Sequence, residues 1–245
     1  MSNRSWSFSQ YSDALKCLQY DKYLNVDKLG EPAKSGDTAF GTAIHSAIAS
    51  FLEGENSREV FSILWDLEES KDLQYTRFRW GELKGIGDEL LRKYEKGHGK
   101  KMELVFGEKR LYGEYKGVKL EGTLDFLGDY NGKMELVDFK TSAYSYDRDK
   151  VTCSLQLSLY AYLAEQNGLP RPERLSYLTF VKSTKSIQYT TRAHDGPLMY
   201  SQLDSMVNYV KLIEARDMTQ EYKNPNGCFI GTQRCQFFDK CWKGI

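Results

Sequence analysis

Two aspartates and a lysine lie on neighbouring segments whose spacing can bring them together: Asp125 in Gly122-Thr-Leu-Asp125, and Asp138 with Lys140 in Asp138-Phe-Lys140. Between them stands Tyr130-Asn131-Gly132-Lys133, and Asn-Gly between alternating segments is the strongest short-range signal for a two-residue type I′ hairpin. With Asn131 and Gly132 as the loop, the register predicts Asp125 opposite Asp138 and Thr123 opposite Lys140 on one face. On the other face Phe126 meets Val137 and Leu124 meets Phe139, an apolar set suited to a core. Carboxylates directly across a strand pair repel each other, and a divalent cation explains their tolerance. Oxygen ligands from one or two carboxylates, with other positions left to water and phosphate, suit Mg²⁺. Lys140 emerges two residues beyond Asp138 on the same face, within reach of a water or phosphate oxygen there. The chemistry this pattern supports is hydrolysis.

Such a hairpin needs a scaffold, and the periodicity of the chain supplies one. Tyr11, Leu15 and Leu18 predict a first helix from Ser9, its candidate N-cap, to about Leu24. Phe40, Ile44, Ala47, Ile48 and Phe51 define a helical stripe over 38–53 with His45 at its edge, and helices follow over 57–69 and 74–95. The period then changes: 102–113, 117–129 and 134–141 read as an antiparallel meander of three strands. A helix over 150–166, strands over 174–182 and 186–192, and a helix over 197–215 complete the pattern. The prediction is an α/β fold: a central mixed sheet flanked by helices, with the hairpin in its middle. It forms one domain over 1–245, with a helical part to about 100, a core over about 101–215 and an irregular cysteine-containing tail over 216–245.

Composition limits the partners. Lys plus Arg and Asp plus Glu number 34 each, so a nucleic-acid groove must be local. Arg77-Phe-Arg79-Trp80 and Lys96-Gly-His-Gly-Lys100-Lys101 are segments that could line one, although short runs of this kind are more often solvated helix ends. No apolar run is long enough to span a bilayer, and the first residues lack a secretory apolar stretch. The expectation is a cytoplasmic protein in a reducing compartment. There is no Gly-rich phosphate loop ending in Gly-Lys-Ser/Thr, so ATP-driven work needs a partner.

Gly-x-x-Asp, a turn and Asp-x-Lys together resemble the core of PD-(D/E)xK nucleases. His45 in Gly41-Thr-Ala-Ile-His45 is similar to the Gly-x-x-x-His element of the RecB-like branch, and Gln156-Leu-Ser-Leu-Tyr160 to its Gln-x-x-x-Tyr element. The four elements follow in the family's order over residues 41–160. The resemblance implies a restriction-endonuclease-like fold and a Mg²⁺- or Mn²⁺-dependent deoxyribonuclease. His45, Asp125, Asp138 and the carbonyl of Phe139 would bind metal, and Lys140 would orient or activate the attacking water. Gln156 and Tyr160, one turn apart on a helix, would face the active site or DNA. It further implies exonuclease action on DNA ends or single strands in recombination, repair or replication, with a helicase or recombinase as partner. A non-catalytic DNA-binding scaffold on the same fold is the alternative, which intact Asp125, Asp138 and Lys140 speak against.

Five cysteines in a reducing compartment leave metal binding or burial. Cys235-Gln-Phe-Phe-Asp-Lys-Cys241-Trp resembles the end of the iron–sulfur segment of AddB-type and CRISPR-associated nucleases. On that resemblance Cys17, Cys228, Cys235 and Cys241 would hold a [4Fe–4S] cluster, with zinc the lesser option. The chain departs from the pattern, because Thr232 stands where the family has a cysteine and Cys228 lies four residues earlier. Cys153 is expected in the core of its helix. A metal–thiolate sensor built on these cysteines would leave the acid–acid–lysine face unexplained.

Overall fold

Ser7, Ser35, Asn56 and Ser154 each accept a backbone N–H at the start of a helix, and these caps set where the helices begin. The computed structural model describes residues 4–30, 35–69, 73–217, 219–230 and 233–244. Its helices are α1 (Phe8–Lys16), α2 (Leu18–Asp21), α3 (Gly36–Leu52), α4 (Ser57–Asp66), α5 (Trp80–Lys96), α6 (Leu155–Gln166), α7 (Gly196–Glu214) and α8 (Phe238–Lys243). Its strands are β1 (Met102–Phe106), β2 (Lys109–Tyr115), β3 (Val118–Leu124), β4 (Phe126–Tyr130), β5 (Met134–Ser142), β6 (Arg174–Val181), β7 (Ser186–Ala193), β8 (Phe229–Ile230) and β9 (Gln233–Arg234). Two compact units result: Lys34–Tyr112 with Gly122–Tyr200, and Met1–Ala33 with Gly113–Glu121 and Ser201–Ile245.

The larger unit is built on a mixed five-stranded sheet in the order β1-β4-β5-β6-β7. β5 and β6 are parallel and joined through α6, and the other neighbours are antiparallel. The expected meander is corrected: β2 pairs with β3 in a sheet of their own, and β1 pairs with β4. Alternation runs unbroken through Leu120, Gly122, Leu124 and Phe126, so the pattern does not reveal where the chain changes sheets. Phe126, Val137, Phe139, Leu178 and Phe180 face a core shared with Phe40, Ile44 and Ile48 of α3, Phe61 and Trp65 of α4, and Leu83, Leu90 and Tyr94 of α5. α6 is buried along almost its whole length, which is why its composition is apolar on every side. Helix α5 begins at Trp80 rather than near residue 74, placing Arg77 and Phe78 ahead of the helix.

In the smaller unit the first helix differs from expectation twice. Its N-cap is Ser7, because Ser7 and Gln10 satisfy each other's backbone N–H groups at 3.2 and 3.0 Å in a reciprocal box that Ser9 cannot form. It also ends at Lys16, since Cys17 is extended at φ −164° and ψ 117°. The freed Lys16 carbonyl accepts the Asn224 amide at 2.7 Å, and Gly227 packs so closely on it that a Cβ would lie 2.7 Å away. The break is therefore where the tail docks. None of the described helices is long and apolar enough to cross a membrane.

Candidate active site

Asp125 stands where the chain leaves one sheet for the other, between the end of β3 and the start of β4. The hairpin keeps the register its Asn-Gly loop dictates, from Asp129↔Met134 to Phe126↔Val137, with φ of 55° at Asn131 and 81° at Gly132. Beyond that pair the ladder gives way, and Leu124 and Thr123 belong to β3 rather than facing Phe139 and Lys140. The Phe139 N–H instead donates to Asp125 Oδ2 at 2.8 Å, so the hydrogen bond with which the ladder would continue fixes the carboxylate.

Three donors converge there: His45 of α3, Glu108 of the β1–β2 turn, and Asp125 offer ligand atoms all within 4.8 Å of one another. His45 Nδ1 lies 3.6 Å from Asp125 Oδ1. Burial disfavours the imidazolium, but the interaction with Asp125 prevails and holds His45 above its usual pKa. α3 can approach β5 because residue 41 is glycine, where a Cβ would already be 3.1 Å from Thr141 Oγ1. That approach seats His45 one turn further on, edge-on to the Phe139 ring at 6.2 Å.

Glu108 was not visible to sequence reasoning. It is a non-glycine residue at φ 51°, its N–H donates to the Leu124 carbonyl at 2.7 Å, and a Cβ on Gly107 would lie 2.7 Å from the Asp125 carbonyl oxygen. The Gly-Glu turn thus clamps the Asp125 bend. Burial, then the charge of Asp125, pushes the Glu108 carboxyl up. Its only sequence signal is a Gly-Glu turn after a strand, and only the pairing of β1 with β4 brings that turn beside Asp125.

Asp138 and Lys140 leave β5 beside this group. Asp138 is 2% exposed, and its Oδ2 lies 2.6 Å from Lys140 Nζ. Burial pushes the Asp138 carboxyl up to about 6 against the pull of Lys140, with Asp125 adding to the rise. For Lys140 burial works the other way and is outweighed by Asp138 and Asp125, which hold its ammonium above the usual range. The Phe139 ring is buried beneath, while Phe139, Lys140 and Thr141 border a cleft of about 430 Å³. Thr38, Gly41, Thr42, His45 and Ser46 of α3, with Glu108 and Asp125, line the rest of it.

Gln156 and Tyr160 form a supporting pair. Gln156 Nε2 donates to the Tyr160 hydroxyl at 2.9 Å, and a Cβ on Gly122 would stand 2.7 Å from Tyr160 Cε1. The glycine of Gly-x-x-Asp is thus required by the Tyr160 ring, which ties α6 to the segment carrying Asp125. Burial and the charge of Asp138 push the Tyr160 hydroxyl up to about 12, so it stays protonated at neutral pH.

In the smaller unit Cys17 sits at the α1–α2 break and Cys228, Cys235 and Cys241 in the tail, all as free thiols. The Cys235 N–H donates to the Cys228 carbonyl at 2.7 Å, and the Trp242 indole donates to Cys228 Sγ at 3.3 Å. Cys235 and Cys241 both pack against the Tyr23, Leu24 and Phe237 cluster, and a Cβ on Gly227, next to Cys228, would lie 3.3 Å from the Cys17 Cβ, so these residues share one neighbourhood; burial, then the charges of Cys17 and Cys235, pushes the Cys241 thiol up. Thr232, where the sequence departs from the cluster pattern, lies outside the described residues. The expectation for Cys153 is corrected: it is exposed, in the turn before α6, because the helix is capped by Ser154 and begins at Leu155.

The family model for the PD-(D/E)XK nuclease superfamily matches residues 5–241. The chain belongs to the PD-(D/E)XK nuclease superfamily. No curated protein matches it. Among solved structures, a candidate exonuclease from Eubacterium rectale is similar at 15% identity over 98% of this chain and 94% of that one, with a TM-score of 0.62. SSO0001 matches at 17% identity over 69% and 74% of the two chains, with a TM-score of 0.31. Rai1 of Scheffersomyces stipitis matches at 11% over 80% and 66%, with a TM-score of 0.25. The first of these shares the fold; the other two are too distant in geometry to bear on it. PD-(D/E)XK membership makes the chain a nuclease by family, with the restriction-endonuclease-like sheet expected from its sequence. Divalent metals are general in the superfamily, and the His45–Glu108–Asp125 group is a donor set fit to hold one.

Proposed function

We propose that this chain is a Mg²⁺- or Mn²⁺-dependent deoxyribonuclease that hydrolyses phosphodiester bonds of DNA ends or single strands. The observation that carries this reading is the convergence of His45, Glu108 and Asp125 beside the Asp138–Lys140 pair, with Lys140 lining the same open cleft as those three donors. The donor set fits the ion, since crowded carboxylates with one imidazole call for a compensating cation. His45, Glu108, Asp125, Asp138 and the carbonyl of Phe139 would hold it. A bound divalent ion supplies Lewis-acid polarisation of the phosphate and a water of lowered pKa. Lys140, kept charged by its carboxylate neighbours, contributes positive charge where the phosphate gains negative charge, and donates to the attacking water or a phosphate oxygen. Gln156 and Tyr160 hold the Gly122–Asp125 segment in place and present a protonated hydroxyl. The reading treats 1–245 as a single nuclease module, since the family match runs through both compact units.

The test is degradation of end-labelled DNA, single- and double-stranded, linear and circular, with Mg²⁺ or Mn²⁺ and with EDTA. Metal-dependent loss of linear or single-stranded DNA, with circular duplex spared, is the expected result. Binding without any cutting would replace this reading by the scaffold one.

The proposal extends to a structural [4Fe–4S] cluster held by Cys17, Cys228, Cys235 and Cys241. The neighbourhood these thiols share and the docking of the tail at the Cys17 break support it. Anaerobically purified protein is expected to carry iron and acid-labile sulfide, both lost in Cys235→Ser. Stoichiometric zinc in their place would overturn the cluster.

A further inference from the structure

The cleft extends beyond the metal-ligand group. From His45 it follows α3 past Thr42 to Thr38, with Thr141 also on its lining. His45 and Thr38 are seven helical steps apart, about 10 Å at a rise of 1.5 Å each. On a nucleic-acid strand that is roughly three nucleotides at a stacked rise of 3.4 Å, and fewer if the strand is extended.

Two side chains that the hydrolytic reading does not use lie outside the lining, beside that end. Tyr144 is 60% exposed, and the Arg77 guanidinium lies 4.8 Å from its ring centroid and donates to its hydroxyl. Their neighbours fix them there. Thr76 Oγ1 donates to Asp37 Oδ2 at 2.8 Å, one residue from Thr38, and the Tyr144 N–H donates to Ser142 Oγ at 3.3 Å, one residue from Thr141. Among the described residues Arg77 is engaged with aromatic rings, Tyr144 and Phe78 at 4.8 and 5.4 Å, rather than with a carboxylate. A large aromatic left exposed and steadied by a guanidinium is a surface in search of a flat partner. The inner end of the cleft carries Glu108 and Asp125, whereas Arg77 and Tyr144, beside its outer end, supply positive charge and a π-face.

We infer that Tyr144 and Arg77 form a nucleobase-stacking subsite, which takes an unpaired base of the strand whose phosphate lies at the catalytic group. This rests on the nuclease reading above and deepens it. A duplex keeps its bases stacked on one another inside the helix, so only a single strand or a frayed end can offer a base to Tyr144. The subsite therefore selects single-stranded substrate without reading sequence, because every base has a π-face.

The test is fluorescence anisotropy of the full chain with a labelled oligothymidylate and with the same oligonucleotide made abasic, in EDTA so that metal-dependent cleavage does not consume the strand. Wild type is expected to bind the base-bearing strand about 5- to 100-fold more tightly than the abasic one. Tyr144→Ala is expected to abolish that difference while leaving abasic binding unchanged, and Tyr144→Trp to restore it. Equal binding of both strands by wild type, or a Tyr144→Ala chain that keeps the difference, would overturn the subsite while leaving metal-dependent cutting by wild type intact. A wild type that neither binds nor cuts DNA would overturn the nuclease reading and the subsite with it. Circular dichroism melts of each variant separate these outcomes from loss of fold.

Discussion

Replacing Lys140 by Ala is expected to slow phosphodiester cleavage by roughly 10²- to 10³-fold, with DNA affinity changed far less. The ammonium is not a solvated surface charge. Asp138 holds it at 2.6 Å and Asp125 adds to the field that keeps it protonated, so it reaches the cleft already oriented. Preorganised positive charge acts on the transition state, where the phosphate oxygens gain charge, more than on the bound ground state, so the loss belongs in the rate. Asp125→Ala and Asp138→Ala are expected to lose at least as much. Glu108→Gln is expected to lose about 10- to 100-fold, with part of the rate recovered at higher Mg²⁺, as for a change that weakens ion binding. Single-turnover rates on end-labelled DNA across a Mg²⁺ titration measure all four. A Lys140→Ala chain that cuts at the wild-type rate would reduce Lys140 to a neutralising partner of Asp138.

The residues that sequence reasoning could find are those whose placement is local. Asn131-Gly132 fixes the hairpin register through its φ values, and the spacing of Asp138 and Lys140 puts both on one face whatever surrounds them. Helices α3 and α7 were legible because helical spacing marks one apolar face that the fold then buries: Ile44, Ala47 and Ile48 in one, Leu203, Met206 and Val210 in the other. What failed was non-local. Alternation continues across Asp125, so the change of sheet there leaves no mark in the pattern, and with it went the meander and the pairing of Thr123 with Lys140. Glu108 escaped for the same reason, since a turn residue joins the site only through the pairing of β1 with β4. The kink at Cys17 is made by Asn224 and Gly227, some two hundred residues away, and no local propensity encodes it.

Period-two geometry also predicts that adjacent residues of β5 fail in different ways. Asp138 and Lys140 pair with each other on the face beside Asp125, whereas the ring of Phe139, itself 1% exposed, turns to the core, with ring centroids 6.2 Å from Tyr94, 6.5 Å from Phe180 and 6.2 Å from His45. Truncating it removes the aromatic centre shared by α3, α5 and the sheet, and rigid strands on either side cannot collapse to fill the space. Phe139→Ala is therefore expected to cost about 3–5 kcal/mol, or roughly 6–20 °C in the melting of the larger unit. Asp138→Asn keeps the shape and relieves the crowding by Asp125 but leaves the Lys140 ammonium without its closest carboxylate, so its melting temperature is expected to fall less than that of Phe139→Ala while its activity falls further. Thermal melts of both variants, alongside their cleavage rates, test the division. A Phe139→Ala chain that melts within about 2 °C of wild type would mean that this ring is not the keystone of the core. Because the same ring braces His45, residual folded Phe139→Ala is also expected to bind Mg²⁺ more weakly, which makes the middle residue of Asp-x-Lys the point where the stability of the sheet and the geometry of the site meet.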